Sequence, residues 1–187
     1  MVVTYSSDNK KIIMKNFKLF EVNSGEKKNF SNFFSRKANV IMFICNHCPY
    51  VKHINHKIVS LSNYFSSKEI SFLAINPNDP DQYPQDSPKN MKKISIQFGY
   101  TFPYFFDETQ EVAKYYQAKC TPEFFIFSGN GILIYNGQFD NSRPDNNLPI
   151  TGNDIVHILK MILFKKLDKT KLPIIKNSYG CSIKWKV

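Results

Sequence analysis

Arginine is almost missing from this 187-residue chain. Only Arg36 and Arg143 occur, so nearly all of the +10 net charge is lysine. The lysines are scattered and their longest runs are pairs, whereas a nucleic-acid-binding surface concentrates its cations. A solvated lysine-rich surface is expected, with no nucleic-acid partner. Long hydrophobic runs are also missing. None approaches the roughly 18 apolar residues of a membrane-spanning helix, so no membrane partner is expected. The opening Met1-Val2-Val3-Thr4-Tyr5-Ser6-Ser7-Asp8 lacks a basic start, an apolar core and a small-residue cleavage site, so no secretory leader is expected and the expected location is cytoplasmic. Cysteine is sparse, at four residues: Cys45, Cys48, Cys120 and Cys181. In a cytoplasmic chain that count points to catalysis or metal rather than to a disulfide framework.

What the chain does have is apolar and aromatic mass. Hydrophobic residues make up 42%, with 17 Phe and 10 Tyr, enough for one well-filled core and too much for a disordered chain. A single domain over residues 1–187 is expected, with a lysine-rich tail at about 168–187. Residues 17–22 alternate like an exposed strand, and Ser24-Gly25 reads as a turn. Asn39 to Cys45 and Ile70 to Asn76 are nearly continuous apolar runs suited to strands buried on both faces. Between them, Val51, Ile54, Ile58, Leu61 and Phe65 recur at helical spacing over 48–66. Ser87 and Pro88 open a second helix to residue 98, and Pro103 to Phe106 is a short apolar stretch. Glu108 to Ala118 reads as a third helix. Gly129-Asn130-Gly131 separates two strands as a hairpin, and Gly152 to Leu167 is an amphipathic helix. Alternation followed by a hairpin predicts an α/β fold with a mixed central sheet and helices on both faces.

The residues that carry chemistry are Cys45-Asn46-His47-Cys48, placed where a buried strand ends and a helix begins. Thiolate is the reactive form of cysteine, and the unpaired N–H groups of a helix start stabilise it. A second thiol one turn away can resolve a mixed disulfide on the first. Pro49 fits the first helical turn without losing a hydrogen bond. His47, between the cysteines, would stabilise a Cys45 thiolate as an imidazolium. Structural zinc is the competing use of such a pair, but zinc takes four ligands, usually with a second close pair, and Cys120 and Cys181 are isolated from each other. No metal and no cofactor is expected.

The segment from Phe43 to Val51 resembles the active-site region of peroxiredoxin-like members of the thioredoxin superfamily, grouped as the alkyl hydroperoxide reductase/thiol-specific antioxidant (AhpC/TSA) family. The resemblance extends through Ile75–Asp79, Phe106–Ala113, Cys120–Phe125 and Gly180–Trp185. It implies a thioredoxin-like fold, with Thr121-Pro122 as a cis-proline turn facing the cysteines and the Thr121 backbone available to an extended substrate segment. It also implies a protein or small-molecule thiol/disulfide substrate and a reductant such as a thioredoxin or glutathione system.

The match has gaps. True peroxiredoxins resemble Pro-x-x-x-Thr-x-x-Cys; the corresponding positions are Ala38 and Met42 before Cys45, or Ile41 and Cys45 before Cys48, so neither frame has the threonine. Asn39 stands where thioredoxin has a buried acid, which makes Glu123, beside Pro122, the nearest proton-transfer group. Cys120 and Cys181 are candidates for a secondary redox role, and Trp185 for an aromatic anchor of the tail. The expected activity is dithiol–disulfide exchange by Cys45 and Cys48, supported by His47, Thr121, Pro122 and Glu123. A thiol-dependent peroxidase and a copper-binding module are the alternatives. The copper reading would need a histidine such as His157, and its cysteines are usually spaced by three residues rather than two.

Overall fold

The computed structural model describes residues 12–186 and the backbone of residues 2–4. Met1, residues 5–11 (of which Tyr5–Asp8 carry part of the reading of the opening segment) and Val187 at the end of the tail lie outside the described residues.

Among the described residues, eleven strands and four α-helices follow in the order β1 (Val2–Thr4), β2 (Lys18–Glu21), β3 (Glu26–Asn29), β4 (Ala38–Phe43), α1 (Pro49–Ser66), β5 (Ile70–Asn76), α2 (Pro88–Phe98), β6 (Tyr104–Phe106), α3 (Glu111–Tyr115), β7 (Cys120–Thr121), β8 (Glu123–Ser128), β9 (Leu133–Gly137), α4 (Asn153–Leu163), β10 (Ile174–Ile175) and β11 (Ser178–Ser182). An eight-stranded sheet has the order β10-β9-β8-β4-β5-β6-β2-β3. Its β4–β5, β5–β6 and β9–β10 pairs are parallel, and β8 runs antiparallel to both β4 and β9. This is the mixed α/β sheet that the alternation predicts.

All six residues of β4 are buried because both faces of the sheet are covered. Ala38, Val40 and Met42 enter one core with Ile54 and Ile58 of α1, Met91 of α2 and Ile155 and Leu159 of α4. Ile41 and Phe43 enter the other, with Phe30 and with Val112 and Ala113 of α3. Strand alternation turns one apolar run into two half-cores, and the site is built at the C-terminal end of that strand.

Three elements differ from expectation. The third helix is shorter than 108–118: Gln110 takes a left-handed φ of 61°, and the Asp107 carboxylate accepts the N–H of Val112 and Ala113 (3.3 and 2.8 Å), which fixes the start at Glu111. The last helix stops at Leu163, with Lys165 at φ 54° just beyond it. The tail is not plain coil. β10 adds to the edge of the large sheet, and β11 forms a second, three-stranded sheet in the order β1-β11-β7. Trp185 is 40% exposed and does not anchor it. Backbone pairing and polar clamps do: Ile183 N–H donates to Lys119 O, Lys184 N–H to Asn78 Oδ1, and Asp79 N–H to Lys184 O.

Candidate active site

β4 ends at Phe43, and Cys45 follows two residues later, outside any helix. Cys48 is the N-cap of α1 and Pro49 its first residue. The Thr121–Pro122 peptide is cis, as the resemblance implies, and Thr121 meets both cysteines. Its hydroxyl lies 3.2 Å from Cys45 Sγ, and its carbonyl is 3.1 Å from Cys48 Sγ, accepting from that thiol when it is protonated. A threonine hydroxyl from β7 thus stands against the Cys45 sulfur.

A third sulfur completes the group. Cys181 Sγ, on β11, is 3.0 Å from Cys48 Sγ, about an ångström longer than a disulfide bond. The two other sequence candidates fall outside this row. Strand alternation that turns Thr121 toward Cys45 turns Cys120 to the opposite face, where it is buried with its Sγ 3.9 Å from Pro122 O. Glu123 is buried, which raises its pKa, and its oxygens accept from Lys119 N–H (2.9 Å) and Asn136 Nδ2 (3.1 Å). Those bonds give it a structural task at the start of β8. Asn39, in place of the usual acid, bonds Ser35 and Ser71.

Acidity is distributed differently from the sequence expectation. Cys48 is lowered to about 5, first by the hydrogen bond from the Cys45 thiol, then, against the opposing effect of burial, by the Cys181 thiol and the backbone amides of Val51 and Cys181. Cys45 is raised, first by burial, then by its bond to Cys48 and by the charge of Asp86, with only the Thr121 hydroxyl pulling it down. Burial, followed by the bond to Cys48 and its charge, pushes Cys181 up to about 12. The thiolate thus belongs on Cys48, the sulfur at the helix start on which donors converge, and the row titrates as a unit. His47 is engaged by Asp86 while a ring nitrogen stays within 4.8 Å of Cys45 Sγ. Its Nδ1 donates to Asp86 Oδ2 at 2.6 Å, and its ring stacks on Tyr83.

Asp86 is the residue that sequence reading missed. It is wholly buried in the turn before α2. Besides His47 it accepts from Asn46 N–H (2.7 Å) and Asn78 Nδ2 (2.8 Å). Asn46 also donates to Gln85 O and accepts from Tyr104 OH. Both residues between the cysteines are thereby latched to one turn. Only the run of Asp, Asn and Pro between 76 and 88 hints at this in the sequence, and nothing there singles out one acid.

Ligand atoms of Cys45, His47 and Asp86 lie within 4.8 Å of one another. The donors are already committed: His47 and Asp86 satisfy each other, and Asp86 also holds the Asn46 amide. His157, the histidine that a copper site would need, is exposed on α4 and outside this cluster.

Cys45 and Cys48 are 2% and 0% exposed. Cys45 borders a cavity of about 270 Å³ between α1 and α2, lined by Val51, Ile94 and Phe98 with Asn46, Lys52, Asn55 and Gln97 as its polar members. No helix among the described residues is long and apolar enough to cross a membrane.

The AhpC/TSA family model matches residues 12–136. No curated protein matches the chain. Among solved structures, an uncharacterized conserved protein from Geobacillus kaustophilus is 46% identical with a TM-score of 0.89, covering 100% of this chain and 97% of that one. A hypothetical protein from Sinorhizobium meliloti is 31% identical with a TM-score of 0.90, covering 99% of each. A thiol:disulfide interchange protein of the thioredoxin family from Chlorobium tepidum is 18% identical with a TM-score of 0.63, covering 84% of this chain and 99% of that one, and it shows the shared thioredoxin-like fold. The family match covers about two thirds of the chain, and the chain belongs to the AhpC/TSA family.

Proposed function

We propose that the protein is a cytoplasmic thiol–disulfide oxidoreductase whose redox couple is the Cys45–Cys48 dithiol and disulfide. The observation that carries this reading is that both sulfurs of the Cys45-x-x-Cys48 pair meet one residue of the cis-proline turn, with the Thr121 hydroxyl 3.2 Å from Cys45 Sγ and the Thr121 carbonyl 3.1 Å from Cys48 Sγ, where Cys45 borders the cavity. It uses no cofactor or metal. A thiol or disulfide substrate supplies or takes the electrons, and a thioredoxin- or glutathione-type system restores the couple.

The geometry supports a balanced sequence of steps. A disulfide substrate approaches Cys45 through the cavity. Cys45 attacks one substrate sulfur while its proton passes to the Cys48 thiolate. Thr121 donates to the Cys45 sulfur as charge develops there, and the substrate's other sulfur departs as a thiolate. Cys48 then attacks Cys45 Sγ, and its proton goes to the departing second thiolate. The substrate is reduced by two electrons and the Cys45–Cys48 disulfide forms. Cys48 thus does the proton transfer assigned to Glu123 by sequence logic.

Cys45→Ser should abolish turnover of a small disulfide such as oxidised glutathione. Undiminished turnover would overturn this reading. The Thr121 hydroxyl beside Cys45 favours one second reading, attack of Cys45 on a hydroperoxide with Cys48 resolving the sulfenic acid. Stoichiometric consumption of hydrogen peroxide within seconds by the reduced protein would select it.

A further inference from the structure

β11 lies where an extended substrate segment was expected. It pairs antiparallel with β7, with Cys181 opposite Thr121 and Ser182 opposite Cys120. The approach is close: a Cβ at Gly180 would stand 2.1 Å from Thr121 O, so the strand reaches this position only with glycine there. The Thr121 edge is therefore already occupied by the protein's own chain. Cys48 has no exposed surface, whereas Cys181, 3.0 Å from it, is half-buried.

We propose that Cys181 is the outlet of a three-thiol relay, taking over the disulfide from Cys45–Cys48 as Cys48–Cys181, where a thiol reductant removes it. The proposal rests on the Cys45–Cys48 reading and adds the route by which electrons enter the couple. Cys181 sulfur attacks Cys48 Sγ, the Cys45–Cys48 bond breaks, and the Cys181 proton passes to Cys45. One disulfide is exchanged for another and no electrons are gained or lost. An external dithiol then attacks Cys181 Sγ and releases Cys48. Resolution by the second reductant thiol frees Cys181, so two electrons enter and the reductant leaves as a disulfide.

The electrostatics suit both steps. Two of the influences that hold Cys181 protonated, the bond to Cys48 and its negative charge, vanish once Cys48 is in a disulfide, while the Lys184 cation continues to pull the other way. In the second step the released group is the Cys48 thiolate, and a sulfur of low pKa is a fast leaving group. The relay also explains how a couple with two buried sulfurs communicates with a reductant.

The test is disulfide mapping of the full chain after oxidation with oxidised glutathione, acid quenching and peptide mass analysis, on wild type and Cys181→Ser. Wild type should contain both Cys45–Cys48 and Cys48–Cys181 links, and C181S only the first. Stopped-flow reduction by dithiothreitol should be slowed at least ~10-fold in C181S, because attack is confined to buried sulfurs. A wild type that forms Cys45–Cys48 while Cys181 stays fully alkylatable, or a C181S protein reduced at the wild-type rate, overturns the relay and leaves the Cys45–Cys48 reading standing. Absence of any Cys45–Cys48 link in both proteins overturns that reading itself. The wild-type map does not depend on how well the variant folds.

Discussion

Cys45 and Cys181 flank the same sulfur in opposite kinds of surroundings. The Cys45 side is held by side chains: Asn46 and His47 are fastened to the buried Asp86, which Asn78 also supports. The Cys181 side is held by backbone, through the pairing of β11 with β7 and the clamps on Lys184. Buried polar networks are costly to leave half-satisfied, so the first side behaves as a unit. A five-residue strand held between the three-residue β1 and the two-residue β7 separates at lower cost. The fixed side faces the cavity where substrate geometry matters, and the separable side carries the sulfur proposed to meet other molecules.

The comparison turns on Cys48, and removing it should have the largest effect. Cys48→Ser should lower disulfide turnover roughly 1,000-fold or more, since neither neighbour retains a partner sulfur; steady-state assay with oxidised glutathione checks this. Next comes the fixed side. Asp86→Ala strands the Asn46 amide, His47 and Asn78, and should cost about 2–4 kcal/mol, a fall in Tm of roughly 4–16 °C for a domain of this size. Calorimetry reads it. Asp86→Asn should keep most of that stability yet remove the charge that helps hold Cys45 protonated, so the pH profile of Cys45 alkylation should move to lower pH.

The separable side should yield differently. Gly180→Val collides with the Thr121 carbonyl and should lift β11. Cys48 alkylation should rise about 10-fold as its cover is lost, the Cys48–Cys181 link should disappear from disulfide maps, and Tm should move little. A separate prediction concerns stability against pH. Cys48 is lowered from 9 to about 5 on folding, so between those values the unfolded chain binds more protons, and this contribution is lost as pH falls from 9 toward 5. Cys181 is raised from 9 to about 12, so its contribution is lost as pH rises through that window. Urea titrations of the reduced protein at pH 5.5, 9 and 10.5 should place the maximum near 9, and C48S should flatten the acid limb.

Much of this frame is readable in advance because apolar periodicity reports burial. The six buried residues of β4, the α1 face from Val51 to Phe65 and the hairpin around Gly129–Gly131 all follow from it. β3 is Glu-Lys-Lys-Asn and β11 is Ser-Tyr-Gly-Cys-Ser; neither has an apolar rhythm, and short strands held by backbone bonds need none. The Cys45–Cys48 pair is evident from its place between strand and helix. Asp86 is not, because one acid among several in a turn-rich loop becomes distinctive only when the fold buries it. The assignment of acidity to Cys45 failed for a local reason. α1 begins at Pro49, so the helix start serves Cys48, and His47 is turned to Asp86.

The distance between Cys48 and Cys181 along the chain, 133 residues, also has a meaning in time. At roughly 5–20 residues per second, a ribosome needs roughly 7–27 s to travel from one to the other. The cysteine pair therefore emerges long before the strand that will cover it, and the Thr121 edge, once made, stays open until β11 arrives. A nascent chain thus displays a thiol centre with a vacant strand position, a form that the completed fold closes with its own last strand.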